Sequence, residues 1–278
     1  MDSTQIPGLE IYDSAKRGTV ALEELRGIWK YRDLVYQLVR RDIVARYKRS
    51  ALGIAWTMIQ PLGMMLVLSV VFSQLFQQVE QYAVYVLSGL IAWTFFSQTT
   101  TAAIHQMVWG GTLLHRIYLP RTSFCVAAIG TGLVNLLLSL VPLLLMAILL
   151  GVHLRLSLLF IPVAMLLLAA FSLGVSLILS TIAISFPDVA EMYQVLLLAW
   201  MYLTPIIYPE EVVSGRFSQW IFRLNPMYYL VKIYRAPIYN GSLPDGFTLA
   251  VGSGVAILSL LIGWFFFASR ADRFTYQA

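Results

Sequence analysis

The chain has 278 residues, 59% of them hydrophobic and 12% charged, with a mean hydropathy of +0.76 and a formal net charge of +5. A soluble domain carries about 25% charged residues, so this chain has too little polar surface for water, and a membrane is its expected solvent. One cysteine, Cys125, lies inside an apolar run, which excludes an internal disulfide and a thiolate metal cluster.

Residues 1–30 open with MDSTQIPGLEIYDSAKRG, which places acids, Pro and Gly where a signal peptide needs an apolar stretch; they read as a cytoplasmic tail. From Tyr31 to Tyr47 apolar residues recur at helical spacing (Leu34/Val35, Leu38/Val39, Ile43, Tyr47), while Arg32, Arg40, Arg41, Asp42 and Arg46 fall largely elsewhere on the wheel. The pattern predicts a basic amphipathic helix in the membrane interface, within a segment 31–53 that ends in a bend at RYKRSALG. Gly53 and the Ser50-Ala51 pair permit a tight bend. This junction reads in two ways: as a topological anchor, or as a polar entrance where Arg46, Lys48 and Arg49 meet a phosphate.

A permease domain, 54–278, follows. Six apolar segments approach the roughly 20 residues that a helix needs to cross hydrocarbon: Ile54–Phe76, Tyr82–Ile104, Thr122–Leu150, Ser157–Ile184, Met192–Tyr208 and Phe247–Ser269. They are too long and unalternating for barrel strands, so the expected class is an all-α integral membrane protein with six transmembrane helices. Lys16, Arg17, Arg26, Lys30, Arg32, Arg40, Arg41, Arg46, Lys48 and Arg49 precede the first span. With Arg116, Arg121, Arg270 and Arg273 they give fourteen bases on one side, against Arg155, Arg216, Arg223, Lys232 and Arg235 on the other. That asymmetry places both termini in the cytoplasm. Seven acids are interspersed among the first ten bases, a membrane-surface pattern rather than a nucleic-acid footprint.

None of the six segments holds an Asp, Glu or His, which ion-coupled carriers place near the midplane. His105, His115 and His153 lie at span ends or in loops without ligand spacing, and no catalytic or metal constellation is legible. No G-x-x-x-x-G-K-[ST] loop occurs, so any ATP hydrolysis belongs to another chain. The triplet at Leu87–Gly89 falls inside a span and reads as chance. The fifth segment ends in TPIIYP, where two prolines stop a regular helix. Four of the five outer bases then follow within Glu210–Gly246, where RFSQWIFRL and MYYLVKIYR mix aromatics with cations at roughly helical spacing.

Four blocks in order carry a family resemblance. RYKRSALGIAWTMIQPL resembles the start of the membrane subunit of ABC exporters of lipid-linked polysaccharide (O-antigen, teichoic acid, capsule), matching at Arg46, Tyr47, Lys48, Ser50, Leu52, Gly53, Trp56 and Pro61. LLHRIYLPR, FPDVAEMYQ with YLTPIIYP, and LNPMYYLVKIYR resemble three later blocks. One departure is Pro187, where that family commonly has Arg between Phe and Asp. The resemblance runs from about Leu34 to the end of the chain and implies a non-enzymatic transport subunit of a bacterial plasma membrane. It implies a homodimer with one pore between subunits and two copies of a cytoplasmic ABC ATPase, which would carry the ATP and Mg; this chain itself would hold no cofactor. It also implies that the ATPase docks on the N-terminal helix and on a coupling segment at 105–121, with His115, Arg116, Pro120 and Arg121, and that two short re-entrant helices at 209–246 form a gate; Gly110 and Gly111 read either as the hinge of the coupling segment or as an ordinary loop. A plain outer loop on the headgroups is the alternative for that region.

Aromatic rings stack on the apolar face of a pyranose without a fixed register, so a polymer can slide past them. Trp93, Phe96, Tyr193, Trp200, Tyr202, Tyr208, Tyr228 and Tyr229 are candidates for a sugar-lined pore, though each also suits an interfacial belt. Arg46, Tyr47, Lys48, Arg49 and Gly53 are candidates for a head-group entrance. The expected substrate is an undecaprenyl-diphosphate-type lipid-linked polysaccharide. A related permease for a drug or simple lipid is the alternative, and a membrane transferase using Asp188 and Glu191 is a third class.

Overall fold

A computed structural model of the chain describes residues 20–48, 53, 55–109, 121–212 and 216–270. Among them are ten α-helices and no strand: α1 (Val20–Lys30), α2 (Arg32–Tyr47), α3 (Ala55–Phe72), α4 (Tyr82–Trp109), α5 (Thr122–Leu149), α6 (Ile161–Ser185), α7 (Val189–Tyr202), α8 (Arg216–Leu224), α9 (Pro226–Arg235) and α10 (Gly246–Ala268). The long runs become helices because lipid offers the backbone no partner, and a helix satisfies its own N–H and C=O groups.

Among the described residues four helices are long and apolar enough to cross a membrane: α3, α5, α6 with the short turn that leads into it, and α10. The other two expected spans differ for separate reasons. Helix α4 is the hub of the bundle, with 18 of its 28 residues buried, packed by α3, α5, α6, α7 and α9. A helix enclosed by protein has no need to be uniformly apolar, and α4 carries Ser88, Thr94, Ser97, Gln98, Thr99 and Thr100. Helix α7 has 14 residues; it begins at Val189, before the expected start, and stops at Tyr202 rather than Tyr208. Pro205, whose nitrogen has no hydrogen to donate, follows one turn later. Helix α4 also runs on past Ile104 to Trp109, and α3 stops at Phe72, short of Phe76.

Two hydrogen bonds give α4 its direction. At one end the Tyr82 hydroxyl donates to the Ile207 carbonyl at 2.7 Å, and at the other Gln106 Nε2 donates to Asp42 Oδ2 of α2 at 2.8 Å. Its 28 residues span roughly 42 Å at 1.5 Å per residue. The expected interfacial helix α2 lies against protein as well as facing outward: Leu38 is buried on Phe124 and Ala127 of α5, whereas Tyr36 is exposed. Gly53, in the left-handed region at φ +51°, turns the chain between α2 and α3.

Helices α6 and α10 cross backbone to backbone. A Cβ on Gly174 would lie 2.3 Å from the Ser259 carbonyl group, and one on Gly263 would lie 2.3 Å from the Gly174 oxygen. Small residues that let backbones touch are how helices gain packing energy where lipid supplies no hydrophobic drive. Helix α10 is capped by Asp245, which accepts from the Thr248 amide at 2.9 Å; that amide holds the Asp245 carboxyl below the ordinary carboxylate value.

Candidate functional site

Two polar features interrupt the apolar bundle, one at each end of α4. The first is a cavity of about 530 Å³ enclosed by α2, α3, α4 and α5. Its mouth holds Asp42, Arg46 and Trp56. Deeper in, the lining is uncharged and hydrogen-bonding: Gln60 from α3, Thr94 and Gln98 from α4, Thr131, Asn135 and Ser139 from α5. Spacing along each helix brings them together. Gln60 lies about 7.5 Å along α3 from Ala55, and Asn135 about 20 Å along α5 from Thr122, so the groove rises well into the bundle. At the mouth, Asp42 also pairs with Arg41 at 2.8 Å, which leaves Arg46 as the cation of the lining.

The second feature is the segment after α7. From Tyr202 to Tyr208 the backbone has no helical ladder, yet each carbonyl finds a donor. Tyr208 Oη donates to Tyr202 O at 2.7 Å and Asn225 Nδ2 to Leu203 O at 3.1 Å. The Ile206 amide donates to Thr204 O at 2.7 Å. Arg235 Nη1 donates to Pro205 O at 3.2 Å and Nη2 to Ile206 O at 3.4 Å. Tyr82 serves Ile207 O, and the Tyr85 hydroxyl is shared between Pro205 O and Tyr208 O at 3.4 and 3.2 Å. Unsatisfied buried carbonyls are costly, so this strap persists only because side chains, chiefly from α4 and α9, replace the lost ladder.

Arg235 is the centre of that arrangement. It is 8% exposed, its guanidinium lies 3.7 Å from the Tyr85 ring centroid, and Nε reaches Ser88 Oγ at 3.3 Å; among the described residues no carboxylate pairs with it. Gly89 makes room: a Cβ there would lie 2.5 Å from Arg235 Nη2. The triplet at Leu87–Gly89 thus has a structural reason that sequence reading did not supply. Asn225 holds the next corner, capping α9 through the Met227 amide and accepting from Trp200 Nε1 at 2.8 Å. Nearer the surface, Glu210 pairs with Lys232 at 3.0 Å and accepts from the Tyr228 hydroxyl. Helix α9 is buried along most of its length, with Met227, Ile233 and Tyr234 fully enclosed, so it sits within the bundle rather than on its surface.

Of the entrance candidates, Arg46 lines the groove, Lys48 is exposed two residues beyond it, and Gly53 forms the bend; Arg49 and the Tyr47 side chain lie outside the described residues. The aromatic candidates divide. Trp93, Phe96 and Trp200 pack with Phe171 at centroid distances of 5.2–6.5 Å where α4, α6 and α7 meet. Tyr193 is buried and donates to Thr100 Oγ1 at 2.8 Å, and Tyr229 is buried beside Tyr228. Tyr202 is exposed, and Tyr208 and Tyr228 are half-buried. Of the coupling candidates, Gly110, Gly111, His115, Arg116 and Pro120 lie outside the described residues, and Arg121 precedes α5. Asp188 and Glu191 are both exposed at the start of α7. Among the described residues no three metal-ligating side chains cluster, and His105 stacks on Trp109.

Sequence reading looked for ionisable groups within spans and so passed over Gln60, Gln98 and Asn135. Those amides were visible as interruptions of apolar runs, and the depth of each along its helix was the signal that would have grouped them. Tyr82, Tyr85 and Asn225 gave no such sign, because their role depends on which carbonyls the strap leaves open.

Comparison with known proteins bears on this arrangement. The profile of the ABC-2 type transporter family matches residues 33–239. The chain is 29% identical over 252 residues to the O-antigen export system permease protein RfbA of Myxococcus xanthus, covering 90% of this chain and 97% of that one. It is 25% identical over 213 residues to the protein of the same name from Klebsiella pneumoniae, covering 76% and 82%. It is 23% identical over 244 residues to the polysialic acid transport protein KpsM of Escherichia coli, covering 86% and 93%.

Proposed function

Because the chain belongs to the ABC-2 type transporter family, we propose that it is the membrane subunit of an ATP-driven exporter of polysaccharide carried on an undecaprenyl-diphosphate-type lipid. Membrane subunits of this family are non-catalytic transport components that work with an ABC ATPase. The observation that carries the substrate class is the similarity to an O-antigen export permease over nearly the whole length of both chains. In this reading two copies of the chain form one pore in the bacterial plasma membrane, with six spans each, both termini cytoplasmic and two ATPase subunits beneath them.

The geometry suits that role. Arg46 at the mouth of the groove offers a cation to the diphosphate, with exposed Lys48 beyond it. The Asp42–Gln106 bond ties α2 to the end of α4, the helix that leads into segment 105–121. Motion imposed there by an ATPase would pass to both walls of the groove. At the opposite end the strap and α9 form the gate, held shut by side-chain hydrogen bonds that can break singly rather than by a continuous helix. A plain outer loop would leave α9 exposed, and its burial favours the gate.

The test is ATPase activity of the purified chain, alone and co-purified with the ATPase encoded beside it, with and without the host's lipid-linked glycan. Activity in the pair alone, raised severalfold by the glycan lipid, is expected. A pair that ignores glycan lipid but responds to drugs or simple phospholipids would move the assignment to another substrate class. Failure to associate with any ATPase would overturn the transport mechanism.

A further inference from the structure

The deep half of the groove differs in chemistry from its mouth, and the difference identifies what it takes. Above Arg46 the lining holds no charge: its polar groups include the amides of Gln60, Gln98 and Asn135 and the hydroxyls of Thr94, Thr131 and Ser139. Neither Gln60 nor Gln98 has a hydrogen-bond partner among the described residues, and both side chains are exposed. Thr131 is 8% exposed and its buried Oγ1 makes no hydrogen bond. Polar groups at this depth must find partners, because hydrocarbon offers none.

Lipid tails are therefore the wrong occupant, and a phosphate is better served at the mouth, since among the described residues Arg46 is the one cation of the lining. A neutral ligand dense in hydroxyls meets both conditions, because amides donate and accept at once and hydroxyls do the same. Aromatic surface is also at hand: Trp56, 57% exposed, stands at the mouth, and Phe95 lies among the lining residues. The volume of about 530 Å³ falls within the roughly 300–1,000 Å³ of small-molecule sites.

We propose that the groove between α3, α4 and α5 is a binding site for the uncharged sugar units of the substrate, read by Gln60, Gln98 and Thr131, while Arg46 below it takes the phosphate. The inference rests on the exporter reading and adds to it a sugar-binding groove in each subunit, apart from the aromatic residues clustered around Trp200.

The experiment is thiol labelling of Gln98→Cys in the assembled permease–ATPase complex with a charged, membrane-impermeant methanethiosulfonate. Wild type serves as the blank, because Cys125 is fully buried. Gln60→Cys is the second variant should the first fail to assemble, and Leu66→Cys, 61% exposed on α3 but outside the groove lining, is the control. Gln98→Cys is expected to label, Leu66→Cys to stay unlabelled, and lipid-linked glycan to slow labelling of Gln98→Cys at least fivefold, while sugar-free polyprenyl diphosphate leaves it unchanged. Equal protection by the sugar-free lipid overturns the proposal in favour of the lipid head. No labelling in the complex overturns it too, since the groove is then dry or covered by the second copy. ATPase activity measured on the same samples separates the two readings: stimulation by glycan without protection removes the groove alone, and absent stimulation removes the exporter reading with it.

Discussion

Arg235 shows what one buried cation can do without a carboxylate. Its planar fork serves two carbonyls that the prolines left open, and its third nitrogen reaches Ser88. Lysine has a single ammonium on a flexible stem and cannot reproduce that geometry. Arg235→Lys is expected to lower stability by about 2–4 kcal/mol, from the cost of leaving buried acceptors unmatched, and to reduce glycan-stimulated ATPase activity. Gly89→Ala pushes a methyl group against the same guanidinium. The two changes should therefore be non-additive, the double variant melting close to the worse single one in detergent. Melting points that simply add would disprove the shared site. Sequence reading placed Arg235 on the outer side by charge counting but could not say that it faces inward, because its acceptors come from a segment thirty residues away.

Among elements, the α6–α10 crossing offers the sharpest test of packing. Gly174 and Gly263 meet with no room for a side chain, and the obstructing atoms are backbone, which cannot rotate aside. Gly174→Ala is expected to force the helices apart and cost about 1–3 kcal/mol as overpacking, whereas Gly254→Ala, on the same α10 with open space around its Cβ, should be neutral. Thermal unfolding of both variants in detergent decides the point. The periodicity of these runs announced helices, and the prolines of TPIIYP announced where one would end. What periodicity could not announce was rank. Helix α4, found as an apolar run, is the least purely apolar of the long helices and the most enclosed, and its central place in the bundle was not legible in that run.

For the molecule as a whole, the bond from Tyr82 to the strap and that from Gln106 to α2 set opposite ends of one helix, and the remaining helices follow from chain order. Alkaline phosphatase fused after Gln78 or His153 is expected to be active outside the plasma membrane, and fused after Phe186 or at the C-terminus to be inactive. Activity at the C-terminus would break the six-span topology. Composition, apolar run length and charge asymmetry determined the solvent, the helical class and the expected sidedness, because each is a sum over many residues that no single contact can overturn. The tertiary structure alone decided which polar residues share a groove and which rings merely pack. It also decided how an unwound strap keeps its carbonyls satisfied, since amides on three helices and carbonyls thirty residues from their donor become neighbours only when the helices assemble.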